Sequence, residues 1–126
     1  MGNMLIKISV IYFAIGVLLG LYMSMAHNYT LTGVHVHINL LGWMSLGMIG
    51  ILYNIYPSLA ETALAKIHFW VHNIGLPVMM GGLALALSGA GDIFLTFVAI
   101  GGTVTVLAIL LFVINVLMNL DSARKA

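Results

Sequence analysis

Long apolar runs alternate with short polar breaks along this chain. Four runs stand out, from about Met4 to Met25, Leu31 to Tyr56, Ile67 to Leu87 and Ile93 to Met118. Each reaches the about 20 apolar residues that a spanning helix needs. None shows a sustained two-residue alternation, so helices are predicted, with every backbone bond closed within the segment. His27-Asn28-Tyr29-Thr30 joins the first two runs, and Ser88-Gly89-Ala90-Gly91-Asp92 joins the last two. Pro57 stops the second run, and Pro57 to Lys66 is the longest predicted loop. Such short connections make consecutive helices antiparallel neighbours. The pattern predicts one all-α domain over residues 1–126, a four-span antiparallel transmembrane bundle.

Composition strengthens the membrane reading. Of 126 residues, 63% are hydrophobic and 6% are charged. Soluble domains carry roughly 25% charged residues. The chain cannot cover a water-facing surface, and the same balance excludes a disordered chain, a nucleic-acid binder and a disulfide scaffold. It has no cysteine, so a thiolate metal site, an iron–sulfur cluster and covalently attached haem are excluded too. Lys7, Lys66, Arg124 and Lys125 all fall on one side of a four-span arrangement. The positive-inside rule makes that side cytoplasmic, with both termini on it, and puts His27 and Asp92 at the outer face. Ser24-Met25-Ala26 has the form of a signal-peptide cleavage site, yet the apolar run before it is longer than a usual signal core, which predicts an uncleaved anchor.

Ionisable residues inside a span are costly and point to function. No Asp, Glu, Lys or Arg sits at predicted mid-membrane depth, which argues against a carboxylate-driven pump, a voltage sensor or an ion antiporter. Five histidines remain: His27, His35, His37, His68 and His72. His35 and His37 lie near the outer end of the second span. A two-residue helical step is about 200°, so their rings leave nearly opposite faces and serve two sites. The bland alternative is hydrogen bonding to neighbouring helices. His68 and His72 share a face at the cytoplasmic start of the third span, a spacing that can chelate one transition metal. Beside Lys66 and Phe69-Trp70, interfacial anchoring is the favoured reading for this pair. His27 reads as a solvated loop residue. Gly16 and Gly20 form a GxxxG suited to close helix packing, and Gly47, Gly50, Gly81-Gly82 and Gly101-Gly102 fit the same role. The nine Met residues read as packing filler, and Pro77 predicts a kink in the third span.

One stretch carries a family likeness. Thr32-Gly33-Val34-His35-Val36-His37-Ile38-Asn39-Leu40-Leu41-Gly42-Trp43, continuing through Gly47 and Tyr53 to Pro57, resembles the haem-binding helix of subunit I of the haem–copper oxidases, especially cbb-type oxidases and nitric oxide reductases. His68-Phe69-Trp70 resembles the start of the following span, and the resemblance covers about residues 30–87. It implies that His35 and His37 ligate haem iron, with Asn39 and Trp43 nearby. The departures are as specific. The family subunit has about twelve spans, and the copper-site His-His and the cross-linked Tyr motif have no counterpart here. A complete oxidase or nitric oxide reductase is therefore not expected. Because the family spans form three arcs of four, the resemblance implies a homotrimer rebuilding a twelve-helix ring. A haem would then lie between His35 of one protomer and His37 of its neighbour. The implied cofactor is haem b, the implied role electron transfer with a respiratory-chain partner, and the implied location the bacterial plasma membrane. Two rivals remain: a non-haem copper or zinc protein using His35, His37 or the His68/His72 pair, and an accessory or assembly subunit of a terminal oxidase.

Overall fold

The computed structural model describes residues 1–126 and is helical from end to end. Helix α1 is Gly2–Ala26, α2 is Thr32–Ile55, α3 is the single turn Pro57–Ala60, α4 is Ala63–Leu87 and α5 is Phe94–Lys125. Four of these, all but α3, are long and apolar enough to cross a membrane. The shortest of them, α2, has 24 residues and exceeds the roughly 30 Å hydrocarbon core at about 1.5 Å per residue.

Local chemistry sets the boundaries. His27 ends α1 in the left-handed region, at φ 48° and ψ 36°, where its N–H caps the Met23 and Ser24 carbonyls. Glycine is the usual occupant of such a cap. Pro57 has no N–H to give to α2, so it ends that helix and opens α3. The predicted loop from Pro57 to Lys66 is thus mostly helical. Thr62 accepts a bond from the Ala65 N–H at 3.0 Å and starts α4 at Ala63, a turn before the expected Ile67. Hydropathy alone passed over that cap. At the far end, α5 runs past Met118 to Lys125, with Arg124 and Lys125 in its last turn. Two cations there suit the negative end of the helix dipole. Helix α4 continues through Pro77.

The helices pack as two close pairs. Between α1 and α2 the seam is lined by small residues: Gly16 meets Asn39, Gly47 meets Ser9, and Gly50 meets the backbone of Gly2 and Ile6. Between α4 and α5, Gly75 meets Thr105, Gly82 meets Phe97, and Gly101 meets the Met79 backbone. Lipid tails give no hydrophobic drive for helices to associate, so close backbone approach and dispersion hold such seams. The pairs join through two clusters of larger side chains. Val34 and Ile38 of α2 pack on Leu76 and Met80 of α4. At the end that bears both termini, Leu5, Leu46, Ile49, Tyr53, Leu59 and Ala65 form the second cluster. The four-helix antiparallel bundle is thus built as two antiparallel hairpins set side by side.

A methyl group at position 101 meets backbone of α4, whereas one at position 81 meets nothing within 4 Å. Gly101→Ala is expected to destabilise the protein by about 1–3 kcal/mol through overpacking. Gly81→Ala is expected to stay within about 0.5 kcal/mol of the parent. Reversible unfolding in mixed detergent micelles measures both.

Candidate functional site

Helix α2 changes its hydrogen-bond register partway. Thr32–His37 is α-helical, Ile38–Ser45 is π-helical, and Leu46–Ile55 is α-helical again. A π-helix bonds each N–H to the carbonyl five residues back, and such turns are rare and frequently stand at functional sites. Side chains serve the carbonyls around this change. Asn39 Nδ2 donates to the His35 carbonyl at 2.8 Å, and the Ser45 hydroxyl donates to the Leu40 carbonyl at 2.8 Å. His72 of α4 donates to the Leu41 carbonyl at 3.2 Å.

His35 and His37 sit in the α-helical turn before this segment, so the opposed directions expected from their spacing apply. His35 lies against α1, in the notch left by Gly16 and Gly20. Its Cε1 would stand 2.9 Å from a Cβ on Gly20, and its Nδ1 is 2.9 Å from the Gly16 carbonyl. His37 Nδ1 is 2.7 Å from the Gly33 carbonyl one turn back. A carbonyl only accepts, so in each neutral ring Nδ1 carries the proton and Nε2 keeps its lone pair. A backbone carbonyl holding the far nitrogen is also how metal-ligating histidines are oriented. Both rings are half-buried. The predicted GxxxG thus does more than pack two helices: it seats His35.

His68 and His72 stand elsewhere than expected. Neither is an interfacial anchor, because both are fully buried between α4, α2 and α5. They lie on the stripe of α4 that includes Ala65, Gly75 and Leu76, which faces the protein interior, while Trp70 faces outward and is 65% exposed. Since the Leu41 carbonyl accepts from His72 Nε2, the His72 Nδ1 lone pair takes the N–H of His68 Nε2 at 3.2 Å. That leaves the His68 Nδ1 lone pair with no partner. Two imidazole nitrogens on one tetrahedral zinc lie roughly 3.3 Å apart, given Zn–N bonds of about 2.0–2.1 Å. The pair therefore has chelate spacing, but no third His, Asp or Glu stands beside it.

The remaining predicted residues divide. Asn39 is brought onto His35. Trp43 stacks on Phe13 of α1 with ring centroids 4.6 Å apart. His27 is exposed at the helix cap. Tyr53 entered the sequence reading only as part of the resembling run, with no site role, and Asn115 escaped it. Tyr53 meets His68 edge-on at 6.5 Å, and its buried hydroxyl has no partner. Buried Asn115 ties α5 to α3 through the Leu59 carbonyl at 3.0 Å and accepts from Thr62 at 2.9 Å. An asparagine within an apolar run was the available signal for the second of these.

No family model, curated protein or solved structure matches the chain.

The hydrogen bonds fix four tautomers. In 15N NMR of histidine-labelled protein free of metal and haem, His35 and His37 are expected to be protonated at Nδ1, and His68 and His72 at Nε2. The opposite tautomer at either member of a pair contradicts the arrangement.

Proposed function

We propose that this is a membrane-embedded b-type haem protein that carries electrons, with His35 and His37 as its iron ligands. The observation that carries the reading is the pair of Nδ1–carbonyl bonds, which orients both rings and leaves both Nε2 lone pairs available. Because the rings leave opposite sides of one helix, a single protomer cannot sandwich one iron between them. The reading therefore places each haem between copies, His35 from one and His37 from the next. A homotrimer is the favoured assembly, because three four-span copies supply twelve helices. Both α1 and α5 carry exposed large apolar side chains, among them Leu18, Tyr22, Leu117 and Met118, which offer outer faces for a cyclic contact. The haem supplies one-electron chemistry when bound. The chain's part is to hold the imidazoles: Gly16 and Gly33 fix their rotation, and Asn39 braces the turn between them. Held by two histidines, the group would suit electron transfer better than oxygen binding, and a respiratory-chain component is the partner class. The basic residues support cytoplasmic termini, and the respiratory reading goes with a bacterial plasma membrane.

A second reading rests on the 3.2 Å separation of His68 Nε2 and His72 Nδ1. Copper or zinc would bind the lone pairs of these two nitrogens, with the His68 proton moved from Nε2 to the unpartnered Nδ1 and His72 still held by Leu41.

The optical spectrum of the detergent-purified protein, oxidised and dithionite-reduced, decides between them. Haem predicts a sharp Soret band and split α and β bands. A colourless protein, still colourless after haem supplementation, overturns the haem reading, and copper or zinc by elemental analysis then supports the second. His35→Ala and His37→Ala are each expected to abolish bis-His haem in the whole oligomer. His27→Ala is expected to leave haem content unchanged.

A further inference from the structure

The structure assigns His72, braced by His68, as the strut that holds the π-helical segment of α2 and thereby sets the rotation of His35 and His37. This inference rests on the haem reading for its functional consequence, but not for its structural part.

The physical argument begins with register. In an α-helix the Leu41 carbonyl would accept from Ser45 and in a π-helix from Leu46, but the Leu46 N–H donates to the Trp43 carbonyl and His72 donates to Leu41. Each residue of a π-helix also turns the chain by less than the about 100° of an α-helix. Relaxation of Ile38–Ser45 to the α register would therefore rotate one end of α2 against the other. The far end is fixed, because Leu46, Ile49 and Tyr53 lie in the cluster at the termini-bearing end. The near end carries His35 and His37. Rotation would lift His35 from its Gly16 carbonyl and its seat on α1.

Something must therefore hold the wider register, and two donors reach it. Ser45 bonds Leu40 from within the segment. His72 bonds Leu41 from another helix. Of these two hydrogen bonds only the second comes from another helix, beside the packing of Ile38 on α4 and of Trp43 on Phe13. His72 is in turn fixed through Nδ1 by His68, which lies 6.5 Å from the Tyr53 ring and 5.7 Å from that of Phe112 on α5. One imidazole pair thus links the π-helical part of α2, its anchored part and α5. Two fully buried histidines in an apolar interior are costly to keep, and a structural strut to a carbonyl gives them a role.

The test compares His72→Phe, which fills the space and cannot donate, with His72→Gln, whose amide can. In the full-length protein, His72→Phe is expected to lower haem affinity 10–100-fold, the usual loss when a group that orients a metal-binding histidine is removed. His72→Gln is expected to recover it to within about threefold of the parent. The low-spin electron paramagnetic resonance of the residual haem should shift in the Phe variant alone, a change that loss of fold would not produce. In the haem-free protein, backbone 13C shifts of Ile38–Ser45 should move toward α-helical values in His72→Phe and not in His72→Gln. If His72→Phe fails to accumulate, His68→Phe removes only the brace and should give the same changes in smaller measure. Parent-like 13C shifts in a folded His72→Phe protein overturn the strut. Unchanged haem affinity alongside moved shifts overturns its link to His35 and His37. A colourless parent overturns the haem reading alone, and the 13C comparison still judges the strut.

Discussion

A hydrocarbon interior offers no water to a polar group, and this constraint shapes every helix of the protein. Its polar side chains answer in two ways. Some bond a carbonyl one turn back on their own helix, as Asn73 does to Phe69 at 2.7 Å and Thr105 to Gly101 at 2.7 Å. Others cross to a neighbour and so fix how the helices sit. His35 to Gly16, His72 to Leu41 and Asn115 to Leu59 are of this kind. They respectively tie α1 to α2, α4 to α2 and α5 to α3. Dispersion between small residues brings the backbones close, and these few directional bonds then select one arrangement.

The two histidine pairs are linked within that arrangement. His35 and His37 sit in the α-helical turn just before the altered part of α2, and His72 bonds a carbonyl inside it. The π-helical segment is thus the meeting point of the two pairs. Helix α2 faces α1 with His35 and Asn39 and faces α4 with Val34, Ile38 and Leu41. The wider turn lets both faces keep their partners. Of the three buried side-chain atoms without partners, Ser58 Oγ lies on α3, and Tyr53 Oη and His68 Nδ1 belong to adjacent rings at the other side of the same junction.

Apolar run length and the short polar breaks were enough to read four spans, their order and their antiparallel sense. Hydrophobicity is a property of composition, and a bilayer rewards it without regard to partners. The spacing of His35 and His37 likewise made their opposed faces legible, since helical geometry is local. What a residue faces is not local. His68 beside Lys66 and Trp70 reads as interfacial, yet the turn of α4 directs Trp70 outward and His68 inward. The start of α4 at Ala63 was equally hidden, because it depends on the Thr62 cap and not on hydropathy.

The sequence by itself determined four helices long and apolar enough to cross a membrane, and which of them carries His35 and His37, because each follows from composition or from spacing along one helix. Only the tertiary structure decided the pairing of α1 with α2 and α4 with α5, the seating of His35 against Gly16, the burial of His68 and His72, and the π-helical register between Ile38 and Ser45. Each of these depends on a partner from a different helix. The Leu41 carbonyl meets His72 across 31 positions of sequence, a separation that no periodicity along a single helix encodes.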